Sequence, residues 1–290
     1  MRKKWLTAGA AFGIGAVMLV VSGVSAMANT SGYDAYKAAM NNTKTAQSVT
    51  ANVDMTVTDN GTKVLAGTAD IKLNKPSNTG SIAATFGDGS QTHSTNVYRQ
   101  DGNVIIKSSE DEIYRVMKQN DPEWQHDGAM PNPPKAVEQL FDALTGNIKE
   151  LATVESEPDG GKQASLHLSG SQIPAVVNAL GSLAVSKADE HHNGSFTSPD
   201  KKVNLPELTD NIKVEKINLD ASISPDNLLE QQTAEINISG TDDSGKAHVL
   251  VIRLHVDFSG INETTPERID LTGKQTVEIQ NDGTKRGWHH

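Results

Sequence analysis

The chain has 290 residues, with 26 Lys+Arg against 36 Asp+Glu for a formal charge of −10, and no Cys. That balance argues against a phosphate-backbone binder, which needs a clustered basic face, and against a protein held on anionic lipid by charge. The missing Cys excludes a disulfide scaffold, thiolate metal sites and a Cys nucleophile.

Residues 1–28 read as a secretory leader. Arg2-Lys3-Lys4 supplies the charged start, Trp5 to Val21 is apolar, and Ala26-Met27-Ala28 offers the small residues that a signal peptidase accepts. Cleavage after Ala28 leaves Asn29 first. The alternative is an uncleaved membrane anchor, because the apolar stretch approaches the roughly 17 residues a spanning helix needs. With no Cys to acylate, a lipoprotein anchor is not expected.

A short helix is predicted over Tyr33 to Thr43, with Tyr33, Tyr36 and Met40 on one face. A run of strands follows. Val49, Ala51, Val53, Met55 and Val57 alternate with polar residues, the period of a half-buried strand. Asp59-Asn60-Gly61 is a hairpin turn. Ala69, Ile71 and Leu73 continue in phase, with Gly67 suggesting a bulge. Turns at Phe86-Gly87-Asp88-Gly89 and Gln100-Asp101-Gly102-Asn103 delimit His93 to Arg99 and Val104 to Lys107, and Ile113 to Met117 closes a set of about six strands.

Asp121 to Pro134 is a Pro-rich connector. Val137, Leu140, Phe141, Leu144 and Ile148 then fall at helical spacing. Leu151 to Glu155 and Ala164 to Leu168 pair across Pro158-Asp159-Gly160-Gly161. A further helix opens at Ser171 with Pro174 in its first turn, its stripe being Ile173, Val176, Val177, Leu180 and Leu183. Lys187 to Leu205 has no periodicity and reads as a long loop. Strands resume with Ile212 to Val214 and Ile217 to Ile223, out of phase by one residue near Glu215-Lys216. Ala234 to Ile238, Leu250 to Phe258 and a short piece at Val277 and Ile279 complete the set. No repeat of fixed period is present.

The expected class is α+β: a curled antiparallel half-barrel sheet of about 9–11 strands, with two or three helices packed on its concave face. Residues 29–280 form one domain, and 281–290 a polar tail.

This order resembles the lipoprotein-carrier half-barrel family, the LolA-type periplasmic carriers and their relatives in Gram-positive envelopes. The likeness covers roughly residues 33–280. It rests on the leading helix followed by VTANVDMTVTDNG, on the NVYRQDGNVIIK hairpin and on the DLTGKQTVEI ending. It implies an incomplete antiparallel barrel whose helices form a lid over an apolar cavity that takes acyl chains.

The side chains suited to chemistry are few. Adjacent His191 and His192 point apart on an extended loop, and His289-His290 ends the chain, so neither pair is expected to hold a metal. His167, His248 and His255 are read as exposed strand residues. Asp242-Asp243, Glu110-Asp111 and Asp189-Glu190 lie in polar segments, where a desolvating site for acid–base work is not indicated. Thr241 to Gly245 lacks the ligand pattern of a calcium loop. No cofactor or metal is implied and an enzyme is not expected.

The expected function is therefore an exported protein, extracellular or in the cell envelope, that binds an apolar ligand, a lipid or a lipoprotein acyl chain. The candidate ligand-binding residues are Val137, Leu140, Phe141, Leu144, Ile173, Val177 and Leu180. No nucleic acid is involved, and membrane contact comes only through the leader if it is retained. The alternative is a scaffold or sensor module of the same fold, with a packed core and an envelope protein as partner.

Overall fold

The computed structural model describes residues 31–118, 150–173, 206 and 208–279. The helix α1 (Gly32–Thr45) leads into β1 (Ser48–Asp59), β2 (Thr62–Asn74), β3 (Thr79–Gly87), β4 (Thr92–Gln100), β5 (Asn103–Ser108) and β6 (Tyr114–Lys118). A second series comprises β7 (Thr153–Ser156), β8 (Lys162–Ser169), β9 (Asp210–Ile223), β10 (Leu229–Thr241), β11 (Ala247–Ser259) and β12 (Thr276–Glu278).

These strands form a single sheet in the order β12-β6-β5-β4-β3-β2-β1-β11-β10-β9-β8-β7. β1–β6 and β7–β11 are each a meander, and the second returns so that β11 pairs with β1 on the side away from β2. All neighbours are antiparallel except β12, which adds three residues in parallel to β6. The sheet does not close, since β12 and β7 are its two edges.

The expected α+β class is thereby corrected. The described residues make a mostly β protein with twelve strands and one helix, not nine to eleven strands under two or three helices. The helix expected around Val137 to Ile148 lies outside the described residues. At Ser171 no α-helix opens: Gly170–Gln172 is a 3-10 turn, and Ile173 is extended (φ −79, ψ 116). Pro174 accounts for this, because its ring disfavours the helical region for the residue before it.

The register sorts side chains onto two faces. One cross-strand row runs Val154, Ala164, Ala221, Gln232, Val256, Val53, Ala69 and Ala84. This is the apolar face. Its centre is a cluster with Ala51, Val53, Met55, Leu65, Ile71, Leu254 and Val256 all buried.

At the β7–β10 end the apolar face is covered by α1, whose Ala35, Ala39 and Met40 pack against Ala164, Ala221, Ile223 and Leu229. Small residues let the helix approach closely. At its start a Cβ on Gly32 would lie 2.0 Å from the Thr153 carbonyl oxygen. Ser31 caps the helix, accepting from the Asp34 N–H at 3.2 Å. Thr43 Oγ1 accepts from the Leu229 N–H at 2.8 Å and donates to the Ala39 carbonyl. The buried line is thus Ala35, Ala39, Met40 and Thr43 rather than the expected Tyr33–Tyr36–Met40 stripe. Tyr36 instead reaches sideways and donates to Gln232 Oε1 at 2.9 Å.

The phase slip expected near Glu215 is present, because Lys216 pairs with Asn237 and Val214 with Ile238, leaving Glu215 as the extra residue. The bulge expected at Gly67 is not at that position. Gly67 stays in register with Met55, and the shift falls between Val57 and Thr58, where Leu65 and Lys63 are the partners and Val64 is skipped.

Beyond β11, residues 260–275 form a strap over the other face of β1–β6. Ser48 Oγ accepts from the Thr264 N–H, and Ser81 Oγ from the Glu267 N–H. Gln100 holds both backbone groups of Ile269, at 2.8 and 2.9 Å. Arg268 Nη2 donates to both carboxylate oxygens of Asp101, at 2.6 and 2.7 Å.

Candidate functional site

The face opposite the apolar one carries a polar depression of about 390 Å³. Two rows cross it: Asp54, His255, Thr233 and Asp220, then Thr56, Arg253, Glu235 and Asn218. Strand alternation places these residues, since each is one step from a buried neighbour such as Met55 or Leu254. Most of their charge is already matched. Glu235 accepts from Arg253 at 2.7 Å and from Lys216 at 3.0 Å. The Lys216 ammonium, then Arg253, holds its carboxyl below the usual range. Asp220 accepts from Ser165 at 2.7 Å and lies 2.9 Å from His167 Nε2, while His255 Nε2 lies 2.9 Å from Asp257. A ligand here displaces existing partners, each of which returns little in solvent.

The apolar face is different at its β2–β6 end. One row there reads Leu73, Gly80, Arg99, Val104 and Met117. The next reads Ile71, Ile82, Val97 and Ile106. Val104 and Ile106 are buried, whereas Leu73, Ile82, Val97 and Met117 are half-buried. Amid these side chains sits Arg99. Its Nε is sealed from solvent and has no hydrogen-bond partner. Burial depresses the pKa of the guanidinium. Of the carboxylates on adjoining turns, Asp101 is engaged by Arg268, Glu110 by His93 and Asp111 by Arg115.

Of the residues expected to bind ligand, Ile173 is described, and it is buried against Leu168, Val214 and Ile217. Val137, Leu140, Phe141, Leu144, Val177 and Leu180 lie outside the described residues, as do His191, His192, His289, His290 and the Asp189-Glu190 pair. His167 and His255 have side chains 59% and 37% exposed, in keeping with their reading as exposed strand residues. His248 corrects that reading. It is 4% exposed, with Nδ1 2.8 Å from Asp59 and Nε2 3.3 Å from Asp242. Its position was legible, because it shares the even-numbered phase of Leu250, Leu254 and Val256. Among the described residues no group of three or more His, Cys, Asp or Glu is arranged to hold a metal ion, and no helix is long and apolar enough to cross a membrane.

No family model matches the chain, and no curated protein matches it. Among solved structures, the YwiB protein from Bacillus subtilis aligns over 73% of this chain and 92% of its own, at 8% identity and a TM-score of 0.16. A likeness that slight carries no argument about fold or function.

Proposed function

We propose that this is an exported, non-enzymatic binding protein of the cell envelope, which offers the apolar face of its sheet to a lipid or a lipoprotein acyl chain. The observation that supports this reading is the half-buried strip of Leu73, Ile82, Val97 and Met117, continuous with the sealed side chains of Val104 and Ile106. Covering such a strip with an alkyl chain gains about 0.8 kcal/mol for each methylene removed from water. The polar depression has no comparable gain, because its charges are largely matched in solvent and a ligand would only exchange one weak pair for another. An acyl ligand is also what the resemblance to lipoprotein carriers implies. Export rests on the leader that ends Ala26-Met27-Ala28.

A second reading has its own support. The centre of the apolar face is tightly filled, with Val256 at 0% and Ala51, Leu65 and Ile71 each at 2% exposure. That favours a packed scaffold or sensor module that meets a protein partner. Native mass spectrometry of the protein purified from its own host separates the two. The expected spectrum is a mature chain starting at Asn29 that carries a releasable acyl chain. A ligand-free mature chain favours the scaffold, and a chain still starting at Met1 contradicts the cleaved leader.

A further inference from the structure

Arg99 is the feature of the apolar face that packing does not explain. A guanidinium costs free energy to desolvate, and a half-buried one normally meets a carboxylate, a carbonyl or a ring. Among the described residues Arg99 meets none of these, and its Nε is sealed from solvent with no hydrogen-bond partner. Its row gives it room. The cross-strand neighbour on one side is Gly80, where an added Cβ would come 3.1 Å from Leu73 and 3.9 Å from the Cβ of Arg99 itself. The neighbour on the other side is Val104. A fixed cation therefore stands beside an aliphatic strip with no counter-charge among the described residues.

That combination is complementary to one kind of ligand. Resting on the acyl-binding reading above, we infer that the ligand is a single-chain amphiphile with a carboxylate head. Its oxygens accept from the Arg99 guanidinium, and its alkyl chain lies on the adjoining row, over Val97 and Ile82. Planar N–H donors match a carboxylate in two-pronged geometry, and such charge-assisted bonds are the strong ones. The long-range field opposes this choice, since the whole chain carries −10. A preference for an anion thus reports a local contact and not general attraction.

The test is calorimetric titration of the mature chain with decanoate and with decanol at pH 8, both below their micellar or solubility limits. The unaltered protein is expected to bind decanoate at least about tenfold more tightly than decanol, the scale of one charge-assisted hydrogen bond. Arg99→Gln is expected to bring decanoate down to the level of decanol while leaving decanol unchanged. Arg99→Lys should retain part of the preference. Arg268→Gln, which removes the same charge from the surface pair with Asp101, should behave like the unaltered protein. Equal binding of both ligands, unchanged by Arg99→Gln, overturns the role of Arg99 and leaves acyl binding standing. Loss of both ligands together in Arg99→Gln, with a lowered melting temperature, assigns Arg99 to structure and overturns the inference. Failure of the unaltered protein to bind either ligand overturns the acyl-binding reading itself.

Discussion

His248 shows how one side chain joins two hairpins. Asp59 ends β1 at the first hairpin turn, and Asp242 opens the turn between β10 and β11. His248 lies between them, so its charged form can donate one N–H to each carboxylate. The hydrogen bond to Asp59 is the main influence raising its pKa above the usual value, against the opposing cost of burial and the nearby Lys246 ammonium. A raised folded pKa means that the protonated imidazole stabilises the fold fully below about 6.5, and that this support is lost as pH rises through the folded value. The melting temperature is therefore expected to fall between about pH 6 and pH 9 by more in the unaltered protein than in His248→Asn. Parallel pH profiles for the two proteins contradict a charged His248. Arg99 was not legible in this way. In β4 the apolar pair Val97-Tyr98 breaks the alternation, so sequence could not say which face Arg99 takes.

At the scale of elements, strand periodicity carried furthest. In β11 the even positions His248, Leu250, Leu254 and Val256 are the buried ones, and the burial alternates even where Val249-Leu250-Val251-Ile252 run apolar without a break. Val256 is wholly enclosed. Val256→Asp places an unpaired carboxylate in that cluster and is expected to cost several kcal/mol, comparable to the roughly 5–15 kcal/mol stability of a whole domain. His255→Gln, one residue away on the polar face, is expected to change stability by less than about 1 kcal/mol, since the ion pair it loses is solvent-exposed. Urea denaturation of both variants checks this, and similar midpoints contradict the assignment of faces. The slip at Glu215 was legible for the same reason, because a one-residue insertion inverts the phase on either side of it. The strap was not. Its contacts are side chains on β1–β4 gripping backbone groups of an extended segment, and such pairings leave no period in the sequence.

At the scale of the molecule, the number of strands was nearly legible and the class was not. Turn signals such as Asp59-Asn60-Gly61 mark hairpins locally, and Asn60 and Gly61 do adopt positive φ of 48° and 81°. Which meander edge meets which is a long-range matter, and the pairing of β1 with β11 has no local marker. The start expected at Ser171 was misplaced, because Pro174 holds Ile173 extended; the rest of that stripe, Val176 to Leu183, lies outside the described residues.

On the function proposed above, the apolar face, and not the polar one, receives the ligand. Photo-crosslinking tests it most directly, with decanoate bearing a terminal diazirine and the modified residues located by fragment mass spectrometry. The expected adducts fall on Ile82, Val97, Val104 or Met117, which alternate with the opposite-facing Ala83, Tyr98, Ile105 and Val116. Adducts confined to the opposite-facing set, or to the depression around Asp54 and Arg253, contradict the claim.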